Sequence, residues 1–270
     1  MSSRGARVGS AVVTGAGRGI GAVIAERLVA RGYAVVCSDV DADAARRTSE
    51  RIGAAAGVGL DVRDPEAHRR AAETAVGHAP LTAWFNNAGV GHDGRLADLA
   101  EDELRRLVEV NLLGVIWGMR AALAAFGPAG GDIVNTASLS AHGPVPGLSG
   151  YAATKAAVVS LTTSVNAETP RSVRVHALGP DGVDTDMLTA MDDAGTAKAL
   201  VHSGGRILTV DEAADAAVAL LGSRRVVRTL PVWRGVVSRT TALTPGTSAY
   251  AVGAFEALGR RVMAKRRRDS

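Results

Sequence analysis

Tyr151 and Lys155 stand four residues apart in YAATK, within a chain of 270 residues that holds only three tyrosines and three lysines. Nearly every other basic residue is arginine. Residues four apart on a helix share a face, so the ammonium can lie beside the phenol. An unperturbed phenol has a pKa near ~10 and is a poor base at neutral pH. A neighbouring ammonium favours phenolate and lowers that value. Such a pair suits proton exchange with an alcohol, or with the alkoxide left when a ketone accepts hydride. A compact ammonium can also bond ribose hydroxyls, for which a planar guanidinium has a different reach and geometry. By itself YxxxK reads more simply as a surface contact between a ring and a cation, so other residues must carry the chemistry.

Two polar residues are candidates to join the pair. Ser138 ends an apolar stretch thirteen residues before Tyr151, and the Gly- and Pro-rich loop between them can fold back. Ser140 is its rival if the register slips. Asn111 interrupts the apolar run LVEVNLLGVIW. Asparagine disfavours helix interiors and needs hydrogen bonds when buried; a structural polar plug is the plain alternative.

A second group is suited to a dinucleotide. TGAGRGIG places Gly15, Gly17, Gly19 and Gly21 after an apolar β-branched run and before a helical one, with Arg18 and Ile20 between them. Glycines there let the backbone turn tightly and approach a pyrophosphate, whose charge the following helix amides bind. Asp39, 18 residues after Gly21, is placed to accept from ribose hydroxyls. Its alternative is a helix cap, a role for which Asp41 competes. Asp61-Val62 and Asn87-Ala88-Gly89 end two further strands, where a carboxylate can meet an adenine amine and small residues can lie against ribose.

Periodicity supplies the elements that must position these groups. Strands are expected at Val8–Thr14, Tyr33–Asp39, a short stretch ending at Asp61, Leu81–Asn87, Asp132–Ser138, Val173–Leu178 and Val226–Val232. Helices are expected at Ile20–Ala30, Asp41–Ile52, from Asp64 with Pro65 in its first turn, Glu101–Phe126, Tyr151–Glu168 and Asp211–Leu221. Strict alternation implies right-handed βαβ crossovers and an α/β, doubly wound, Rossmann-like parallel sheet in one domain. The predicted catalytic domain spans 1–232, and 233–270 is an extension.

Bulk properties exclude several classes. Apolar residues make up 47% and charged residues 21%, enough core and too little charge for general disorder. A single cysteine offers no disulfide framework and fits a cytoplasmic setting. The six histidines show no close ligand spacing, so no metal is expected. The N-terminus lacks a secretory core, and no run approaches 18 uninterrupted apolar residues. The net charge of +4 is uneven: from Arg224 onward eleven Lys or Arg face two acids. No nucleic-acid motif accompanies them.

The glycine loop, NNAG, Asn111, Ser138 and Tyr151-x-x-x-Lys155 together resemble the short-chain dehydrogenase/reductase family, in its single-domain branch, from Val8 to about Leu221. The resemblance implies a nicotinamide-dependent oxidoreductase acting on alcohols or carbonyls. It implies that Ser138 orients the substrate oxygen, Tyr151 is the acid/base, Lys155 supports it and Asn111 holds a water on the proton path. It also gives Pro180, Val183 and Thr185 contacts to the nicotinamide carboxamide. Asp39 favours NAD over NADP, whereas Arg18 pulls toward the 2′-phosphate. An NADPH-dependent 3-oxoacyl-thioester ketoreductase and a non-catalytic dinucleotide sensor are the alternatives.

This chain departs from the family pattern twice. Asp181 stands where glycine is usual after Pro180, and RTLPVWRGVVSRT replaces the usual final strand. Beyond it, Tyr250 or Ala251, Phe255, Leu258 and Val262 recur at helical spacing, with Gly253 and Gly259 as weakening breaks. This stripe is expected to be covered by protein in a homo-oligomer rather than to bind a membrane. The segment Asp186–Arg206, the loops after strands four and five, and the apolar Pro144, Val145, Pro146 and Leu148 are expected to shape the site for a moderately lipophilic substrate.

Overall fold

The computed structural model describes residues 8–243 and 245–269. Seven parallel strands form one sheet in the order β3-β2-β1-β4-β5-β6-β7. They are β1 (Ser10–Thr14), β2 (Ala34–Asp39), β3 (Ala56–Gly59), β4 (Leu81–Asn86), β5 (Gly131–Thr136), β6 (Val173–Pro180) and β7 (Val227–Leu230). The order reverses between β1 and β4, which opens a crevice at their carboxyl ends. Alternation along β1 splits the core. Val12 packs with Leu81, Trp84 and Ile133 on one face. Ala11 and Val13 pack with Ile24, Leu28 and Phe85 on the other.

Helices α1 (Gly19–Ala30), α2 (Ala42–Ile52) and α3 (Pro65–His78) follow the first three strands. Asp41 caps α2 through the Ala44 amide, and Asp64 caps α3 through the Glu66 amide with Pro65 next in line. The long helix after β4 is not uniform. Helices α4 (Glu101–Val108) and α5 (Gly114–Ala125) are joined by one π turn, Glu109–Leu113, with Asn111 buried at its centre. Single π turns are a common mark of functional sites. Glu101–Ala125 is long and apolar enough to cross a membrane by length and composition alone. Here it packs against α3 and α6 (Ser149–Glu168).

Several strand boundaries differ from expectation: β1 begins at Ser10 rather than Val8, β5 stops at Thr136 rather than Ser138, and β6 runs on to Pro180 rather than ending at Leu178. Strand β3 stops at Gly59 rather than Asp61, because the Asp61 carboxylate turns to the Arg63 amide, 3.0 Å away. Strand β7 stops at Leu230 rather than Val232. Pro231 has no amide to give the ladder, and α10 (Val232–Leu243) begins directly after it. Within Asp186–Arg206 the chain forms two helices that periodicity did not indicate, α7 (Asp186–Thr189) and α8 (Thr196–His202). Helix α9 (Val210–Val218) follows, opened by a capping box between Thr209 and Glu212.

The extension is not a separate appendage. Helices α10 and α11 (Pro245–Asp269) pack back on the sheet domain, α11 chiefly against α8. The expected stripe is covered only in part: Phe255 and Val262 are half-buried, whereas Tyr250 and Leu258 are exposed. Ala251 has no described side chain. The covered positions include Val252, Phe255 and Gly259. Gly259 is the closest approach, since a Cβ there would stand 1.7 Å from the Ala199 carbonyl oxygen. The glycine read as a weakening break is the contact that lets two helices meet.

Candidate active site

The carboxyl ends of the strands border a cavity of about 1150 Å³. At one end lies the glycine loop. Gly15 has φ +65° and Gly19 φ +56°, left-handed values that favour glycine. A Cβ on Gly15 would meet the Ala88 Cα at 2.8 Å, and one on Gly21 would meet the Gly15 carbonyl oxygen at 2.1 Å. Gly19 has open space instead. Arg18, which precedes α1, gives that helix no side-chain cap. The first amides of α1 are thus left for an anion. These features fit a pyrophosphate: backbone donors, open space and no side chain in the way.

The next features fit an adenosine half. Asp39 ends β2 and borders the cavity. Its Oδ2 accepts from the Gly17 amide at 2.9 Å and its Oδ1 from the Asp41 amide at 3.1 Å, which fixes the carboxylate beside the loop. Val62 forms a wall, and its carbonyl accepts from buried His68 Nε2 at 3.0 Å. Asp61 borders the cavity too, but Arg63 occupies both of its oxygens, at 2.6 to 3.0 Å. Its expected bond to an adenine amine would have to compete with that fork.

Asn87, Ala88 and Gly89 carry the wall from β4 toward β5. The Asn87 side chain donates to the Thr14 and Gly15 carbonyls and accepts from Thr136 Oγ1. It ties three strand ends together. Behind them a buried chain runs from Trp84 Nε1 to Asn86, to Asn135, to Thr162 on α6. That network holds α6, and therefore Tyr151 and Lys155, against the sheet.

Ser138, Tyr151 and Lys155 meet at the cavity wall. The Lys155 Nζ lies 5.7 Å from the centre of the Tyr151 ring and donates to the Thr136 carbonyl at 2.8 Å. The Ser138 hydroxyl accepts from the Ser140 amide at 3.1 Å. Burial pushes the Tyr151 phenol up to about 12, and the neighbouring Ser138 hydroxyl opposes that. Burial also pulls the Lys155 ammonium down to about 8. Both groups are thus held nearer neutrality than in water, poised to exchange a proton when charge enters the cavity.

Asn111 does not border the cavity. Its Oδ1 accepts from the Val90 amide at 2.9 Å and its Nδ2 donates to the Val90 carbonyl at 2.8 Å. Its side chain thus clamps the segment after β4, and its Oδ1 and the Lys155 Nζ both lie beside Gly89. Gly17 and Gly21 also lie behind the cavity surface, shaping the loop rather than lining it. Arg18, Gly19, Ile20, Pro180, Val183 and Thr185 all line it. Arg18 reaches across to Asp186 at 3.5 Å, both side chains being exposed.

The substrate end is closed by the loops after β4, β5 and β6. Asp93 accepts from the Asp192 amide at 2.7 Å, and the Gly94 amide donates to Gly147. Sequence reading missed the last wall, made by α10 and α11 through Arg234, Val237, Ser238, Thr241, Val252 and Phe255. It also left Asp181 unassigned. Asp181 is bound by Arg234 at 2.9 Å, with only 10% and 12% of the two side chains exposed.

Lys155 yields a pH test. The unfolded chain holds this proton up to its ordinary 10.5, whereas the folded chain releases it near 8. Between those values the unfolded state binds more protons, so stability rises with pH. The stability of the chain relative to a Lys155→Met variant should therefore climb from pH 8 to 10.5 and stay level below 8. Paired thermal melts at pH 7, 8.5 and 10 check this; a difference that falls with pH would contradict it.

The comparisons with known proteins agree with this geometry. Residues 10–195 match the family model described as short chain dehydrogenase. A cyclohexanol dehydrogenase of Acinetobacter sp. is 33% identical over 219 residues, covering 78% of this chain and 86% of the relative. A short-chain dehydrogenase/reductase of Burkholderia phymatum, solved in complex with NAD, superposes with a TM-score of 0.78 at 27% identity, covering 86% and 92% of the two chains. An alcohol dehydrogenase of Thermococcus sibiricus, solved with 5-hydroxy-NADP, gives 0.70 at 29% identity, covering 82% and 95%. With its motif residues gathered at the carboxyl edge of a 3-2-1-4-5-6-7 sheet, the chain belongs to the short chain dehydrogenase family, as an NAD(P)-dependent oxidoreductase acting on CH–OH groups and the corresponding carbonyls.

Proposed function

We propose that this enzyme is an NAD-linked dehydrogenase for neutral, lipophilic secondary alcohols and their ketones, with Ser138, Tyr151 and Lys155 as its proton-handling set. The observation that carries the reading is the meeting of these three side chains on a cavity whose other end presents Asp39. The bound nicotinamide ring supplies the hydride acceptor. Ser138 orients the substrate hydroxyl, Tyr151 takes its proton during oxidation and returns one during reduction, and Lys155 favours the phenolate. Asn111, which fixes the Val90 segment, completes the set by holding a water on the proton path. The substrate end carries Val90, Val145, Leu148, Met187, Met191 and Val237. The charges of Asp181 and Arg234 are matched to each other, so an uncharged apolar substrate suits that apolar lining. Reduction of NAD by cyclohexanol and a panel of secondary alcohols tests this; turnover confined to charged substrates would overturn it.

The cofactor choice rests on Asp39. Opposed unit charges about 4 Å apart at an effective dielectric near 20 cost roughly 4 kcal/mol before screening, so a 2′-phosphate is disfavoured there. Arg18 pulls the other way, but Asp186 competes for it. Asp39→Ala should therefore raise the ratio of NADP to NAD affinity by at least about tenfold, a conservative share of that repulsion. Titration of both dinucleotides against both proteins measures it. Tighter binding of NADP by the unaltered chain would refute the assignment.

A further inference from the structure

The wall formed by the C-terminal helices has no counterpart in the motifs that define the site. We propose that Phe255 on α11 sets the size of substrate the cavity accepts, and that Arg234 is the positioning residue that holds it in place. The proposal rests on the reading above, that this cavity receives a lipophilic alcohol.

Phe255 is partly buried and borders the cavity. The guanidinium carbon of Arg234 lies 5.7 Å from the centre of its ring, and equally far from the ring of Trp233. The same guanidinium bonds Asp181 at 2.9 Å, Ser203 Oγ at 2.7 Å and the Leu200 carbonyl at 3.1 Å. A planar fork with several donors engaged has little freedom left. Arg234 therefore joins the end of β6, the end of α8 and the Phe255 ring in one fixed arrangement.

Helix α11 is held independently of Arg234. Gly259 meets the Ala199 backbone. Thr196 Oγ1 donates to Glu256 at 3.2 Å, and Arg260 donates to the Ala194 carbonyl at 3.2 and 3.3 Å. These contacts lie along the outer side of the segment that closes the cavity. The helix that carries the Phe255 ring cannot recede from a bulky substrate without breaking them. A rigid aromatic ring on a fixed wall limits size, and the paired charges of Asp181 and Arg234 add no net charge to that wall.

The test compares the full chain with Phe255→Ala. Values of kcat/KM with NAD are measured for cyclohexanol and for the fused two-ring decahydro-2-naphthol. The ratio of bulky to small substrate should rise by at least about tenfold, the scale on which apolar pockets discriminate shape. Thermal shifts with cyclohexanone and 2-decalone, in the presence of NADH, give a readout independent of turnover. The shift from 2-decalone should grow in the variant and that from cyclohexanone should not. Phe255→Leu, should Phe255→Ala fail to melt cooperatively, should move both readouts in the same direction by less. An unchanged ratio with unchanged thermal shifts overturns the proposal, as does the absence of a shift from either ketone in either protein. If the chain oxidises no alcohol while the ketone shifts still change as stated, the dehydrogenase reading falls and the size limit stands.

Discussion

Tyr151→Phe should lower kcat by about 10²- to 10⁴-fold, the contribution of a positioned general acid or base, while the affinity for NAD stays close to that of the unaltered chain. The ring is kept, so its packing and the face it offers to Lys155 survive. What is lost is the phenolic hydroxyl beside Ser138 at the cavity wall. In the protein alone that hydroxyl gives up its proton only near 12, because burial disfavours the phenolate. Lys155, with its ammonium 5.7 Å from the ring centre, is the nearby source of opposing charge. Its own burial keeps it from being an indifferent cation, since it releases a proton near 8. The ammonium lies close enough to the ring for a phenolate, once formed, to meet an opposing charge. Steady-state rates at saturating NAD, with a separate NAD titration, distinguish this from a loss of binding. A near-wild-type kcat would remove Tyr151 from the chemistry.

The residues that carry this prediction were legible because their signals are local. Gly15 to Gly21, Asn87 to Gly89 and Tyr151 with Lys155 each fall within a few positions, and strand–helix alternation brings their elements to one edge. The same reasoning failed where contact is long-range. Gly259 was read by helix propensity as a weak point, yet its value lies in an approach to Ala199, sixty residues away. Tyr250 and Leu258 share helical spacing with Phe255, yet they are exposed and Val252 and Phe255 take the cavity side. Spacing marks a stripe without saying which neighbour will meet it. Asp61 was placed at the right edge, but nothing in its strand signal announced that Arg63 would engage it. Asp181 came nearest to betraying a distant partner. A carboxylate in place of a small residue at the end of a buried strand demands a cation, and only the fold identifies Arg234.

That demand makes Arg234→Met the most disruptive change expected outside the proton-handling set. Methionine can fill the space between Trp233 and Phe255, so the packing loss is small. The lost cation is the larger matter. Asp181 would keep its buried carboxylate without the group that now offsets burial. Breaking one side of a buried pair costs on the order of 3–5 kcal/mol, or about 10 °C in Tm for a chain of this size. Replacing both partners should cost far less, because the pair's attraction is largely spent on its own desolvation. Asp181→Gly with Arg234→Met should therefore recover most of the loss, with a coupling of more than about 1 kcal/mol in the double-mutant cycle. The pH dependence gives a second sign. In the single variant Asp181 takes up a proton more readily when folded than when unfolded, so the deficit should shrink as pH falls toward the carboxylate range. Thermal melts of the four proteins at pH 5 and 8 decide it: a single variant as stable as the parent, or a double variant no better than the single, would mean that the buried pair does not hold the C-terminal wall.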